Sequence, residues 1–371
     1  MRIHFFINTL DGGGAEKVLV DLVNLLPKDL YDITITTLLH GIHENRLDLN
    51  INHKCIINIR NKILVFLLER IYCKILPYGL FAKLFLKDEY DIVVSYLEGF
   101  PARAVAAAGF AKKKIVFVHC NTGVDKNWLS IYKSYQDCLV EFRTFDRVCF
   151  VSKDSLDGFQ RIVGHLQNAC VVHNVIDFKT ALHKSMEPLD MTYSTKGLKI
   201  ISVGRLSPVK GYVRLLNAVS RLQNENFSFE LWICGEGEER DKLEGMIKSE
   251  NIINVHLLGF QDNPYKFMAK ADLYVCPSLS EAYSTSVAES VALGVPVLTT
   301  DCSGMREILN DGEYGDIVEN SEDGLYNGLK LLLTDSHHRS VLQSKVVKRS
   351  EELLAMDPLK EYTDLFNSML S

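Results

Sequence analysis

Short apolar runs alternate with longer stretches of helical period along the whole chain. Ile3–Ile7, Ile33–Leu38, Ile56–Ile59, Ile92–Ser95, Ile115–Val118, Val148–Val151 and Cys170–Val172 have strand length and are apolar enough for a sheet buried on both faces. Between the first two, Ala15, Val18, Leu19, Leu22, Val23 and Leu26 recur at the i, i+3, i+4, i+7 spacing of one helix face. The rhythm lapses over 179–197, where Pro188, Ser194 and Gly197 stand among polar and small residues. It resumes with Lys199–Val203, Leu231–Cys234, Val255–Leu258, Leu273–Cys276, Val295–Leu298 and Asp316–Val318. Alternation of this kind predicts an α/β protein with parallel sheets covered by helices on both faces. The expected organisation is one doubly wound domain over 1–178, a linker over 179–197 and a second doubly wound domain over 198–349. A last segment, 350–371, carries Leu353, Leu354, Leu359, Tyr362, Leu365 and Phe366 at helical spacing. Open sheets of this type bind ligands beyond the carboxyl ends of their strands, so two of them facing each other would form an inter-domain cleft.

Composition narrows the function classes. With 371 residues, 47% of them hydrophobic and 24% charged, the chain can fill two ordinary cores. Its 41 basic and 47 acidic side chains leave a net charge of −6, which argues against a nucleic-acid partner. Nine cysteines include no Cys-x-x-Cys, and no two are closer than Cys138 and Cys149, so neither a zinc knuckle nor a redox motif is expected. Most stand in apolar runs, the pattern of free core cysteines in a reducing cytoplasm. The opening Met-Arg-Ile-His-Phe-Phe-Ile reads as a strand rather than a secretion leader.

One stretch departs from the acidic balance. Between positions 60 and 87, Arg60, Lys62, Arg70, Lys74, Lys83 and Lys87 face Glu69 alone, interleaved with Ile63 through Leu68 and with Phe81, Leu84, Phe85 and Leu86. Charges interrupt it too often for a spanning helix, which needs ~20 apolar residues in a row. Two readings stand: a basic apolar surface that docks peripherally on the cytoplasmic face of an anionic membrane, or two core-facing helices with solvated lysines.

Three segments carry candidate chemistry. Asp11-Gly12-Gly13-Gly14 separates the first strand from a helix opening at Ala15-Glu16. Bare glycine backbone and a helix N-terminus suit a phosphate or a sugar hydroxyl, and a flexible turn reads equally from three glycines. Gly204-Arg205-Leu206-Ser207-Pro208-Val209-Lys210-Gly211 follows a strand and sets a forked guanidinium and a point-charge ammonium five residues apart, a pair suited to a diphosphate. Glu281-Ala282-Tyr283-Ser284-Thr285-Ser286-Val287-Ala288-Glu289 places one carboxylate in a loop and a second in a helix ending at Gly294-Val295-Pro296. The amides of Ser284, Thr285 and Ser286 would form that helix's anion-receptive start. Ser286-x-x-Glu289 also reads as a capping box, and the two roles are compatible only if the helix begins earlier than the box implies.

Gly204-Arg205-x4-Lys210-Gly211 followed by Glu281-x7-Glu289, behind Gly12-Gly13-Gly14-Ala15-Glu16, resembles the family 4 retaining glycosyltransferases, whose GT-B fold pairs two Rossmann-like domains. Asn174-Val175-Ile176-Asp177, Gly235-Glu236-Gly237 and Asp301-x-Ser303-Gly304-x-x-Glu307 extend the resemblance over nearly the whole chain. It implies that Arg205 and Lys210 bind the donor's diphosphate, with Gly204 beside them, and that Glu281 lies under the donor sugar. It implies that Glu289 receives the ribose hydroxyls, that Gly235 and Gly237 flank the base, and that Gly13 and Gly14 lie against the diphosphate or the acceptor. His119 matches a histidine near the donor sugar's C6 hydroxyl. The final helix would cross back to the first domain and set the hinge for closure. The family's usual Gly-Phe and following glycine are here Ala282-Tyr283 and Ser284, which blurs the identity of the donor sugar.

The expected reaction moves a hexose or N-acetylhexosamine from a UDP-sugar to a saccharide or a polyprenyl-diphosphate-linked acceptor in surface polysaccharide or glycan assembly. With no Asp-x-Asp in the chain, no metal and no cofactor are expected. The resemblance further implies retention of configuration, the acceptor attacking on the leaving-group face. Two rivals are a nucleotide-sugar epimerase on the same fold and a two-lobed ligand-binding protein. An NAD-linked oxidoreductase would need spaced glycines, and the glycine run with Asp32 is a chance approximation to that pattern.

Overall fold

The computed structural model describes residues 1–59, 62–87, 89–189, 191 and 197–370, and within these not the side chains of 62, 63, 69, 70, 73 and 74. The chain divides into two compact units, Met1–Ile176 with Asp357–Ser371, and Asp177–Met356.

The first unit holds seven parallel strands: β1 (Arg2–Ile7), β2 (Asp32–Thr37), β3 (Asn52–Cys55), β4 (Ile92–Ser95), β5 (Lys113–Val118), β6 (Arg147–Phe150) and β7 (Ala169–Val171), in the order β3-β2-β1-β4-β5-β6-β7. Alternation along each strand feeds two cores. Phe5, Ile35, Val94 and Phe117 pack on one face of the sheet, while Phe6, Val93, Val116 and Val148 pack on the other. The second unit repeats the plan with β8 (Leu198–Val203), β9 (Phe229–Cys234), β10 (Val255–Gly259), β11 (Leu273–Cys276), β12 (Val297–Thr300) and β13 (Gly315–Val318), ordered β10-β9-β8-β11-β12-β13. Both are doubly wound Rossmann-like sheets, as the β–α alternation predicts.

Several boundaries differ from the sequence reading, among them Val297–Thr300 where Val295–Leu298 is expected, and three of the differences have a clear physical reason. The third strand is not Ile56–Ile59 but Asn52–Cys55, pairing Thr34 with Asn52 through Thr37 with Cys55. An edge strand alternates exposed and half-buried residues, so it lacks the continuous apolar run that marks its neighbours. The linker expected over 179–197 begins as a helix, Phe178–Ser185, capped by Asp177 and packed within the second unit against the helices Tyr265–Met268 and Thr285–Ala292. Its inner face is only Ala181 and Ser185, too small to register as a period. The terminal segment 350–371 is two pieces, because Pro358 lacks an amide and biases Asp357 away from the helical region. A helix over Ser336–Ala355 ends before it, and Lys360–Ser368 begins after it and sends Tyr362, Leu365 and Phe366 into the core around Phe5, with Tyr362 stacked on Phe117 at 5.5 Å.

Candidate active site

In the second unit the strand order reverses between β8 and β11, which lie side by side with Ile201 opposite Tyr274. Connections leaving two such strands run to opposite faces and open a crevice at their carboxyl ends. The two charged motifs of the sequence, 204–211 and 281–289, lie on the segments that leave there, the second reached through 277–280 and running into a helix. Gly211 sits at φ +69°, and a Cβ on it would lie 2.1 Å from the Pro277 carbonyl oxygen, so only glycine lets the loops touch. Leu279 N–H donates to the Val209 carbonyl across the contact at 2.7 Å.

This contact brings Lys210 Nζ to 2.6 Å from Glu281 Oε1, and Ser278 Oγ donates to the same oxygen at 2.6 Å. Burial alone would lower the pKa of the Lys210 ammonium, but Glu281 more than offsets it and the net shift is upward. Among the described residues no hydrogen bond ends on Glu281 Oε2. Arg205 is exposed and pairs with no described carboxylate. One cation is therefore engaged by a carboxylate, and the other is exposed without one among the described residues.

The flanking loop, 235–237, lies against the first motif. A Cβ on Gly235 would come within 1.9 Å of the Gly204 carbonyl and one on Gly237 within 2.3 Å of the Leu206 carbonyl. These glycines are thus already required by the protein's own backbone packing. The helix after Glu281 runs Thr285–Ala292 with Ser284 as its cap, accepting from Val287 N–H. The cap lies two residues before Ser286, so the alternative capping box does not form. Ser286 Oγ instead accepts from Tyr274 Oη at 2.8 Å. Glu289 is 5% exposed and accepts from Tyr265 Oη at 3.0 Å on Oε1.

Arg214 escapes the sequence reading altogether. On the helix Tyr212–Asn224 it is 9% exposed, and its guanidinium donates to the carbonyls of Pro277 and Ser278 and to Asn320 Oδ1 at 2.6–2.8 Å. Asn320 passes the constraint on by donating to the Leu279 carbonyl at 2.9 Å. Arg221 lies two turns further along almost the same helix face, where it meets Asp323 near the surface. Spacing alone does not distinguish the two. Only the loops at the sheet's carboxyl edge bury the first.

The first unit carries the remaining candidates. None of Gly12, Gly13 and Gly14 has a positive φ, and a Cβ at Gly14 would meet nothing within 4 Å. Backbone conformation does not demand these glycines; they leave bare main chain before the helix Gly14–Leu25. His119 follows β5. Its amide donates to Glu98 Oε2 at 2.8 Å, its ring lies 4.9 Å from that of Tyr96, and its Nε2 is buried without a partner among the described residues. Burial lowers its pKa to about 3, so the ring is neutral at physiological pH. Burial raises the pKa of Glu98, with the His119 amide pulling the other way. Glu98 gives no sequence signal, since it is one acidic residue after a strand.

Residues 192–349 match the family model "Glycosyl transferases group 1", and residues 12–180 match "Glycosyltransferase Family 4". The chain is 29% identical over 379 residues to the N-acetylgalactosamine-N,N'-diacetylbacillosaminyl-diphospho-undecaprenol 4-alpha-N-acetylgalactosaminyltransferase of Campylobacter jejuni, covering 100% of this chain and 99% of that one. A second Campylobacter jejuni protein, the GalNAc-alpha-(1->4)-GalNAc-alpha-(1->3)-diNAcBac-PP-undecaprenol alpha-1,4-N-acetyl-D-galactosaminyltransferase, is 26% identical over 363 residues, 95% of this chain and 94% of that one. Among solved structures, HepE of Anabaena in complex with UDP and glucose superimposes with a TM-score of 0.77 and 18% identity over 100% of both chains, a likeness of fold. With each half matching a glycosyltransferase model and its full length matching transferases of this kind, the chain belongs to the GT-B glycosyltransferases.

Proposed function

We propose that the chain is a metal-independent, anomer-retaining family 4 transferase that moves an N-acetylhexosamine or hexose from a UDP-sugar to a saccharide carried on a polyprenyl diphosphate, working at a membrane face. The observation that carries this reading is the contact of Lys210 with Glu281 where β8 and β11 end, with Arg205 exposed on the same loop two residues past β8. Full-length similarity to transferases named for undecaprenol-linked substrates supports the acceptor class, and a UDP complex of the same fold supports the nucleotide.

In this reading Arg205 and Lys210 hold the diphosphate and stabilise the charge that develops as UDP leaves, the preorganised electrostatics that dominate such catalysis. Glu281, fixed through Oε1, offers Oε2 to the donor sugar's hydroxyls. A carboxylate tied to an ammonium and a hydroxyl is a poor nucleophile, which favours direct attack by the acceptor over a covalent intermediate. The bond from C1 to the phosphate oxygen breaks, the bond from C1 to the acceptor oxygen forms, and the acceptor's proton passes to the departing phosphate. Glu289 receives the ribose hydroxyls, the start of the helix Thr285–Ala292 and the bare main chain at Gly13 and Gly14 approach phosphate or acceptor, and the orphan Nε2 of His119 meets a sugar hydroxyl.

Thermal unfolding in EDTA tests the donor site. UDP at 100 times its dissociation constant should add about 2.7 kcal/mol, a shift of several degrees. Arg205→Ala should abolish that shift while leaving the melting temperature of the free protein unchanged, since no described carboxylate loses a partner. Failure of UDP to shift the wild type would sink the proposal, and turnover of UDP-sugar to an epimer without acceptor would identify the epimerase instead. A second expectation concerns Tyr265→Phe, which leaves buried Glu289 short of one donor. Discrimination of UDP against 2′-deoxy-UDP should shrink about three- to tenfold, the scale of one ordinary net hydrogen bond. Undiminished discrimination by calorimetry would remove Glu289 from the ribose.

A further inference from the structure

The helix Lys62–Arg70 and the π-helical turn Ile71–Ile75 that continues it carry two apolar stripes instead of one. Val65, Leu68, Tyr72 and Leu76, spaced by three and four residues, pack against the first unit's core. That is the core-facing face one of the two sequence readings anticipates. Leu67, Ile71 and Ile75 recur every four residues on another face and are exposed, with Phe66 beside them, Phe66 at 60% and Ile75 at 67%. The next helix, Tyr78–Phe85, repeats the arrangement: Phe81 and Ala82 are buried while Leu80 and Leu84 are exposed.

A surface helix ordinarily turns polar and charged residues to water, and clustered exposed apolar side chains mark a surface that something covers. Charge indicates what. Lys83 and Lys87 are exposed beside Leu84, and no described carboxylate pairs with either. Lys62, Arg70 and Lys74 also belong to this stretch, though their side chains, like the whole of Arg60, lie outside the described residues. Among the described residues no helix is long and apolar enough to cross a membrane, so a face of this kind lies along a bilayer rather than through it.

We propose that the outer face of 64–87, anchored by Phe66, Ile71, Ile75 and Leu84 and steered by Lys83 and Lys87, docks the chain on an anionic lipid bilayer. The apolar side chains enter the boundary between headgroups and acyl chains, and the ammonium groups meet lipid phosphates. The proposal deepens the lipid-linked-acceptor reading and rests on it for its purpose, because docking confines the enzyme to the plane in which such an acceptor diffuses.

Vesicle co-sedimentation without donor or acceptor tests it. The protein should sediment with phosphatidylcholine vesicles containing phosphatidylglycerol, and about tenfold less with phosphatidylcholine alone. Phe66→Ser with Ile75→Ser, Leu84→Ser by itself, and Lys83→Glu with Lys87→Glu should each weaken binding several-fold, while the UDP-induced thermal shift stays intact. That shift reports the donor site separately, so loss of either result leaves the other readable. Vesicle binding that ignores all three variants, or is absent in the wild type, overturns the proposal. So does light scattering that shows the apolar variants converting a dimer to a monomer, which would assign the face to a second copy of the chain.

Discussion

Lys210→Ala is expected to lower kcat/KM by about 10²- to 10³-fold, the loss of one preorganised group facing the developing charge. Unlike Arg205→Ala, it should also destabilise the second unit, by about 1–3 kcal/mol, because it strips a donor from a carboxylate only 12% exposed and leaves Ser278 Oγ as its one partner among the described residues. The two effects separate in a double variant. Lys210→Met with Glu281→Gln removes both charges from the half-buried pair, so stability should recover most of the loss. Activity should not, since neither the cation for the diphosphate nor the oriented carboxylate remains. Transfer within about threefold of wild type in Lys210→Ala would show that the ammonium serves Glu281 alone and would move the leaving-group role wholly to Arg205. A double variant no more stable than the single one would mean the pair is not coupled as its 2.6 Å contact implies.

Much of this architecture was legible because buried parallel strands announce themselves. Runs such as Ile115–Val118 and Leu273–Cys276 are apolar at every position, and each proved to be a strand with both faces covered. The edge strand Asn52–Cys55 failed that test for the same reason: one side faces water, and the apolar Ile56 and Ile57 sit just past its end. Of the site, the residues that differ in charge from their surroundings, Arg205, Lys210 and Glu281, could be read from spacing and resemblance. Residues that act through a neighbour could not. Tyr265 meets Glu289 only because the helix Tyr265–Met268 packs beside the helix Thr285–Ala292, and Ser278 is one of many serines until β11 places it under Glu281. The stretch 60–87 posed a choice between core and surface that sequence could not settle, since two apolar stripes on one helix sum to a hydrophobic average and lose their separate directions.

Arg214→Met should uncouple binding from transfer. The guanidinium is buried with carbonyl and amide oxygens as its acceptors, and burial lowers its pKa from a value so high that it remains charged. Its removal leaves the Pro277 carbonyl and Asn320 Oδ1 without that donor, whereas the Ser278 carbonyl keeps the Thr300 hydroxyl at 2.6 Å. Asn320 is exposed, so water can replace its lost bond, and the one buried orphaned acceptor at 1–3 kcal/mol, less the desolvation recovered by deleting a buried charge, predicts a loss of about 1–2 kcal/mol. Methionine fills most of the volume, so the strain should concentrate in the loop 277–284, the segment that presents Glu281. Arg205 and Glu289 stand outside that loop, and the UDP-induced thermal shift should therefore persist while kcat falls about 10- to 100-fold, because misplacement of a positioning group costs chemistry before it costs affinity. Arg214→Lys can return one bond to Pro277 but not the fork that spans Pro277, Ser278 and Asn320, and should recover stability more than rate. A parallel loss of UDP affinity and kcat would instead mark Arg214 as part of the nucleotide's own electrostatic field. A rate decline no larger than the fraction unfolded would reduce it to a fold residue.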